Sequence, residues 1–174
     1  MEQGSNRGAD ASVASGLVPE DNEERINRLR RSGISIDREG NFIHEGQRVE
    51  HEGLRRALFR WLDRLPDGRH IFRLDADRFA YVEVNDTPLV VRSARADAGL
   101  FTLGLSDGTT EALAPSTLTA DDQGRLRCWV RGGKLEARFS NSAVAVLADS
   151  LFEEGPERAL RIYAQGHVFV VPHR

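Results

Sequence analysis

The sequence predicts an α+β fold in which two related strand-strand-helix-hairpin units, with a central β-meander between them, share one core. Three observations carry this reading. Turn signals open a unit at Arg38-Glu39-Gly40-Asn41-Phe42 and again at Asp122-Gln123-Gly124-Arg125-Leu126, each followed by short extended runs. Each opening leads into an apolar stretch suited to a helix, Leu54 to Leu65 and then Ala143 to Ala148, and on to two strand-like runs around a turn. Between the units lie short β-branched and aromatic runs broken by Asp107-Gly108, a strong hairpin signal.

The elements follow in order. Residues 1–19 are rich in Gly, Ser and Ala with few large apolar side chains, too little buried surface to offset the entropy of ordering, so a disordered tail is expected. Residues 20–33 predict a short helical lead-in, with Ile26 and Leu29 one turn apart and Gly33 as its stop. The first unit and the central meander take residues 34–118. Ile34, Ile36 and Phe42 bracket a turn at Asp37 to Gly40, and Glu45-Gly46 supplies the next. Leu54, Ala57, Leu58, Trp61, Leu62 and Leu65 form one helical stripe, with Arg55, Arg56, Arg60 and Arg64 outside it and Pro66-Asp67-Gly68 as its end. Ile71 to Leu74 and Phe79 to Val84 read as a hairpin.

The second unit takes residues 119–174. Leu126 to Val130 and Lys134 to Arg138 are strands joined across Gly132-Gly133, and aligning the two units requires a two-residue insertion there. Ser140 or Asn141 caps a helix whose run Ala143 to Ala148 predicts burial on most sides, ending at Gly155-Pro156. A last hairpin joins Leu160 to Tyr163 with Val168 to Val171. The first helix is striped and charged outside and the second apolar nearly all round, so the second unit is expected to be the hub.

A formal charge of −3 disfavours nucleic acid, which calls for a basic stripe. The single Cys128 excludes an internal disulfide and leaves no cysteine-based zinc site. No apolar run reaches the ~20 residues of a membrane span, and the start of the chain lacks a signal-peptide pattern, so cytoplasmic residence and no membrane partner are expected. Lys134 is the only lysine, and composition alone does not separate a solvated arginine surface from one that binds carboxylates or phosphates. There is no nucleophile elbow and no phosphate-cradling glycine loop, so no cofactor is expected.

Gly40-x-Phe42-x-His44-x-Gly46, the helix with Leu54, Phe59 and Leu62, the Asp67-Gly68 turn, Val82-Glu83-Val84-Asn85-Asp86-Thr87-Pro88-Leu89 and Leu135-Glu136-Ala137-Arg138-Phe139 together resemble a bacterial family known as domain of unknown function twelve eighty-five. The resemblance runs from Gly33 to the C-terminus. It implies an α+β fold of repeated structural motifs and a role in signal transduction, with no assigned active site to carry over. Phe42 stands where tryptophan is expected, Leu89 where phenylalanine is usual, and Leu74-Asp75-Ala76-Asp77 lacks a Thr-Pro, which marks a divergent member.

The residues themselves offer five ligand-binding candidates, His44, Arg48, Asn85, Asp86 and Thr87, and no catalytic or metal-ligating set. Asn85 to Pro88 is a loop between strands, where rigid scaffolds often carry function. The expected function is a non-enzymatic module that binds a small molecule or a protein, with a homodimer through the edge strand Val168 to Val171 as a candidate assembly. The alternative is an enzyme on a small anionic metabolite, with His44 as base and Arg48 or Arg73 as anion clamp. A third reading docks the arginine face of the first helix, Arg55, Arg56, Arg60 and Arg64, on an acidic protein.

Overall fold

One aspartate closes the opening turn of each unit, and it does so the same way twice. The Asp37 N–H donates to the Asn41 carbonyl at 3.0 Å, the Gly40 N–H to the Asp37 carbonyl at 3.0 Å, and the Asn41 N–H to Asp37 Oδ1 at 2.8 Å. The Asp121 N–H donates to the Arg125 carbonyl at 3.0 Å, the Gly124 N–H to the Asp121 carbonyl at 2.8 Å, and the Arg125 N–H to Asp121 Oδ1 at 3.0 Å. Gly40 and Gly124 hold φ at 76° and 72°, a region that a side chain penalises, which is why both turns carry glycine at this point.

The computed structural model describes residues 30–173. The expected tail and residues 20–29 of the helical lead-in lie outside the described residues. Of the rest of that lead-in, Arg30 lies in a turn and the following residues are strand, not helix: β1 (Arg31–Ile36) pairs antiparallel with β2 (Phe42–His44) and parallel with β6 (Phe79–Val84). Gly33, read from the sequence as a helix stop, instead has φ at 69° where the β1–β6 register shifts, and Ser32 Oγ donates to the Tyr81 carbonyl at 2.6 Å across the irregularity. With β3 (Gln47–Arg48), β4 (Leu62–Arg64) and β5 (His70–Arg73), these strands make a six-stranded sheet ordered β3-β2-β1-β6-β5-β4.

The helix α1 (Glu52–Trp61) joins β3 to β4, and the His51 side chain caps it by accepting the Leu54 N–H at Nδ1, 3.1 Å. The helix ends at Trp61, four residues before the end that the apolar stripe predicts. Leu62 leaves it because Leu62, Asp63 and Arg64 pair with Phe72, Ile71 and His70. Leu62 and Leu65 fit the helical period, and a strand partner ten residues on carries no local signal.

The central meander, β7 (Leu89–Asp97), β8 (Leu100–Leu105) and β9 (Thr110–Ala112), joins β10 (Thr119–Ala120), β11 (Leu126–Val130) and β12 (Leu135–Phe139) in a second six-stranded sheet ordered β10-β11-β12-β7-β8-β9. On β11 and β12 alternate residues are buried, the period of a strand with one face on a core. The helix α2 (Asn141–Leu147) is capped by Ser140, whose Oγ accepts the Ala143 N–H, and passes through a 3-10 turn, Ala148–Ser150. It then gives way to β13 (Leu151–Glu154), well short of Gly155. Only Ala143 and Leu147 of α2 are buried, while Ala145 and Val146 are exposed, so the helix buries one face and not most sides as its apolar run predicts.

β13, β14 (Ala159–Ala164) and β15 (His167–Val170) form a third sheet, the counterpart of β4-β5-β6. In the first unit β1 runs parallel to β6, and in the second an isolated parallel bridge joins Ala120 to His173, with the Ala120 N–H donating to the Pro172 carbonyl at 2.9 Å. The two units thus share a topology, loosened in the second copy. Among the described residues β15 is an edge strand, with Val168 and Val170 exposed.

One core serves both units. Phe42 packs on Phe59 and Phe72 at ring-centroid distances of 4.5 and 5.8 Å, and the same cluster continues through Leu89, Leu103, Leu135 and Phe139 to Ile162. Cys128 lies inside it, fully buried, where desolvation and then the carboxylates of Glu111 and Glu136 push the thiol up to about 12. A protonated, enclosed thiol is inert. Ellman's reagent is therefore expected to leave the native protein unmodified at pH 8 and to titrate the thiol in urea; rapid labelling of the native protein would contradict this burial. No helix among the described residues is long and apolar enough to cross a membrane.

Candidate functional site

The loop that joins the units is tied into the second sheet. Register places Arg127 of β11 directly opposite Arg138 of β12, a like-charge pair that is unfavourable by itself. Asp86 sits between them: Arg127 Nη2 donates to its Oδ1 at 2.6 Å, and Arg138 Nε lies 2.8 Å from its Oδ2, close as an ion pair though not aligned as a hydrogen bond. Asp121 and Glu136 complete the surroundings of Arg127 at 3.4 and 3.6 Å. Thr87, 1% exposed, donates from Oγ1 to the Leu89 carbonyl at 2.7 Å and accepts the Arg138 N–H at 3.2 Å. Arg138 Nη2 also reaches the Arg38 carbonyl at 2.7 Å, back in the first unit's opening turn. Asn85 is exposed, and its N–H extends the β1–β6 pairing by donating to the Ile36 carbonyl at 3.0 Å. Asp86 and Thr87 thus hold the two units together with side chains engaged inside the protein.

The other candidates are not brought to one place. His44 is exposed on β2 beside Gly33, opposite Ile34 in the register, while Arg48 stands opposite Ile43 on the other face of the same hairpin and lies 3.6 Å from Glu50. Arg73 pairs through Nε with Asp63 at 2.7 Å. The arginine face of α1 divides as well. Arg56 lies 3.7 Å from Glu52, and Arg64 bends back to the Gly68 carbonyl and over the Trp129 ring.

A larger concavity lies on the outer face of the first sheet. Ile71 and Phe72 are adjacent and both buried, so they cover opposite faces of β5, and this outer face is not a plain solvent surface. The groove there has a volume of about 710 Å³. Ile34, Ile43 and Val82 give it apolar lining, and Ser32, Ser35 and Tyr81 add hydroxyls. Charge comes from Arg31 and Arg69 and from Glu45 and Glu83. Arg69 is braced by Asp67, Nε to Oδ2 at 2.8 Å, and its guanidinium lies over the Tyr81 ring at 4.6 Å. His70 is held below the usual histidine pKa, first by burial and then by Arg64, so it is the neutral imidazole at neutral pH.

Solved structures share this architecture. A protein described as a DUF1285 family protein from Silicibacter pomeroyi DSS-3 superposes with a TM-score of 0.67, at 18% identity over 81% of this chain and 80% of that one. A second, from Shewanella baltica OS155, gives a TM-score of 0.57 at 14% identity, over 67% of this chain and 91% of that one. The chain has the fold of DUF1285 family proteins. No family model matches the sequence, and no curated protein matches it either. The resemblance read from the residues is borne out in the fold, and the low identity agrees with the departures at Phe42, Leu89 and the Leu74 to Asp77 turn.

Within this DUF1285 fold the groove went unread in the sequence. Its residues come from β1, β2, β5 and β6 and from the turns at Glu45-Gly46 and Arg69, and the parallel β1–β6 pairing that assembles them joins positions nearly fifty apart, Ser35 to Glu83. The Ile71-Phe72 pair, two apolar neighbours on a short strand, predicts burial on both faces of β5, but neither residue lines the groove, so it gave no signal of it.

Proposed function

We propose that the chain is a non-enzymatic binding module, and that its ligand lies in the groove on the outer face of the first sheet. The observation that carries this reading is the groove itself: a preformed concavity of about 710 Å³ with apolar walls and a few charged groups of both signs, the usual make-up of a small-molecule site. Charges of both signs favour a ligand with an apolar body and a zwitterionic or mixed polar end over a simple polyanion. The same supports extend to a signalling role, since reversible occupancy of such a groove beside a shared core is a way to report a ligand to a partner protein.

A fragment library screened by ¹H–¹⁵N correlation spectra tests the location. Hits are expected to move the amides of Ser32 to Ser35, Ile43 and Tyr81 to Glu83. A Ser35→Trp substitution, which fills the groove, is expected to remove those shifts while leaving the melting transition cooperative. Hits that move only amides elsewhere, or that bind Ser35→Trp equally well, would sink the reading.

A further inference from the structure

A second concavity opens at the seam between the units, where α1 and β4 of the first meet the β11–β12 turn of the second. It has a volume of about 330 Å³, and Arg60, Arg73, Arg131 and Lys134 line it together with Trp61 and Asp63. Two of the four cations are spoken for. Arg131 lies 2.6 Å from Asp107 and donates to the Phe59 and Leu62 carbonyls, and Arg73 Nε meets Asp63 at 2.7 Å. Arg60 and Lys134 form no salt bridge among the described residues, although the Lys134 charge lies near enough to Asp63 to help hold its carboxyl below the ordinary pKa. Both are exposed, and each is aimed from a defined element: Arg60 from the last turn of α1, and Lys134 from the end of a turn in which Arg131, Gly132 and Gly133 all hold positive φ.

We propose that this seam is a binding site for a phosphate monoester, with Arg60 and Lys134 neutralising the phosphate and Arg73 offering it the free end of a guanidinium that Asp63 holds in place. The charge balance selects the ligand. Four cations stand against the two carboxylates Asp63 and Asp107, a net of two positive charges, and a phosphate monoester carries about −1.5 to −2 at pH 7 whereas a carboxylate carries −1. The mixture of a planar fork and a compact ammonium suits phosphate oxygens, which accept from both. An adjoining cavity of about 350 Å³ shares Arg60 and Arg131 and adds Arg56, Phe59 and Thr109, giving room for the organic body of the ester beside the phosphate.

The test uses the full chain, with phenyl phosphate and inorganic phosphate as probes at constant ionic strength. Saturable shifts at the Trp61, Asp63 and Lys134 amides are expected for both, with phenyl phosphate also moving Phe59 and Thr109. Arg60→Gln and Lys134→Gln are each expected to weaken phosphate about 10-fold, as loss of one charge-assisted contact predicts, with circular dichroism melts unchanged since both side chains are exposed. Phosphate that binds no better than chloride at the same ionic strength overturns the site. So do equal affinities in both variants. Acetate bound as tightly as inorganic phosphate overturns the assignment to phosphate.

Discussion

Replacing Asp86 with alanine is expected to destabilise the protein by about 3–5 kcal/mol, the cost of breaking a buried ion pair by removing one partner. The Asp86 side chain is 7% exposed and stands between Arg127 and Arg138, themselves 15% and 19% exposed. Without it two guanidiniums face each other across β11 and β12, and Arg127 keeps the longer contacts to Asp121 and Glu136 at 3.4 and 3.6 Å in place of one at 2.6 Å. Asp86→Asn keeps an acceptor for Arg127 and is expected to fall between wild type and Asp86→Ala. Adding Arg138→Met to Asp86→Ala removes one of the stranded charges and is expected to recover part of the loss, a coupling that a double-mutant cycle reads directly. Urea midpoints at constant m-value are the measurement. A midpoint for Asp86→Ala within error of wild type would show that the carboxylate is not what joins the loop to the second sheet.

That role for Asp86 shows where sequence reading stops. Asn85-Asp86-Thr87-Pro88 was legible as a turn between strands, and the choice between a structural and a ligand-binding aspartate depended on two arginines more than forty residues away whose register only folding sets. Where one face meets the core and the period is local, as on β11, the strand bounds come straight from the residues. Helix ends did not, because Leu62 and Leu151 satisfy both a helical stripe and a strand, and their partners Phe72 and Ile162 decide between them from a distance. The repeat was legible at its opening turns since Gly40 and Gly124 answer a backbone need that no other residue meets as cheaply. The aspartate that completes each turn stands one residue before Arg38 and Asp122, and pairing it with glycine three positions on would have aligned the units more firmly.

The two-residue insertion that separates the repeats at Arg131 to Gly133 is itself a joint, and Arg131→Ala is expected to cost about 2–4 kcal/mol. Its guanidinium reaches the Phe59 carbonyl at 2.9 Å and the Leu62 carbonyl at 3.3 Å, acceptors that the end of α1 leaves without a helical donor. The same group meets Asp107 at 2.6 Å, a carboxylate with 1% side-chain exposure. Meanwhile the Arg131 N–H donates to both oxygens of Glu111, a bond that alanine keeps, so the substitution isolates the side chain. Burial raises the Asp107 pKa, and the Thr109 hydroxyl, the Arg131 guanidinium and the Thr109 N–H outweigh it, so the folded value lies below the ordinary one. A carboxylate depressed in the folded state adds stability that is full above its unfolded pKa and is lost as pH falls through the folded one. Removing Arg131 takes away one of the lowering contacts while burial still raises Asp107, so the acid limb of the stability curve is expected to move to higher pH. Arg131→Lys keeps the charge but cannot bridge two carbonyls and a carboxylate with one planar fork, and is expected to restore the acid limb more than the neutral-pH stability. An acid limb that coincides in wild type and Arg131→Ala would show that Asp107 is held down by Thr109 alone, and the joint would then rest on the helix carbonyls.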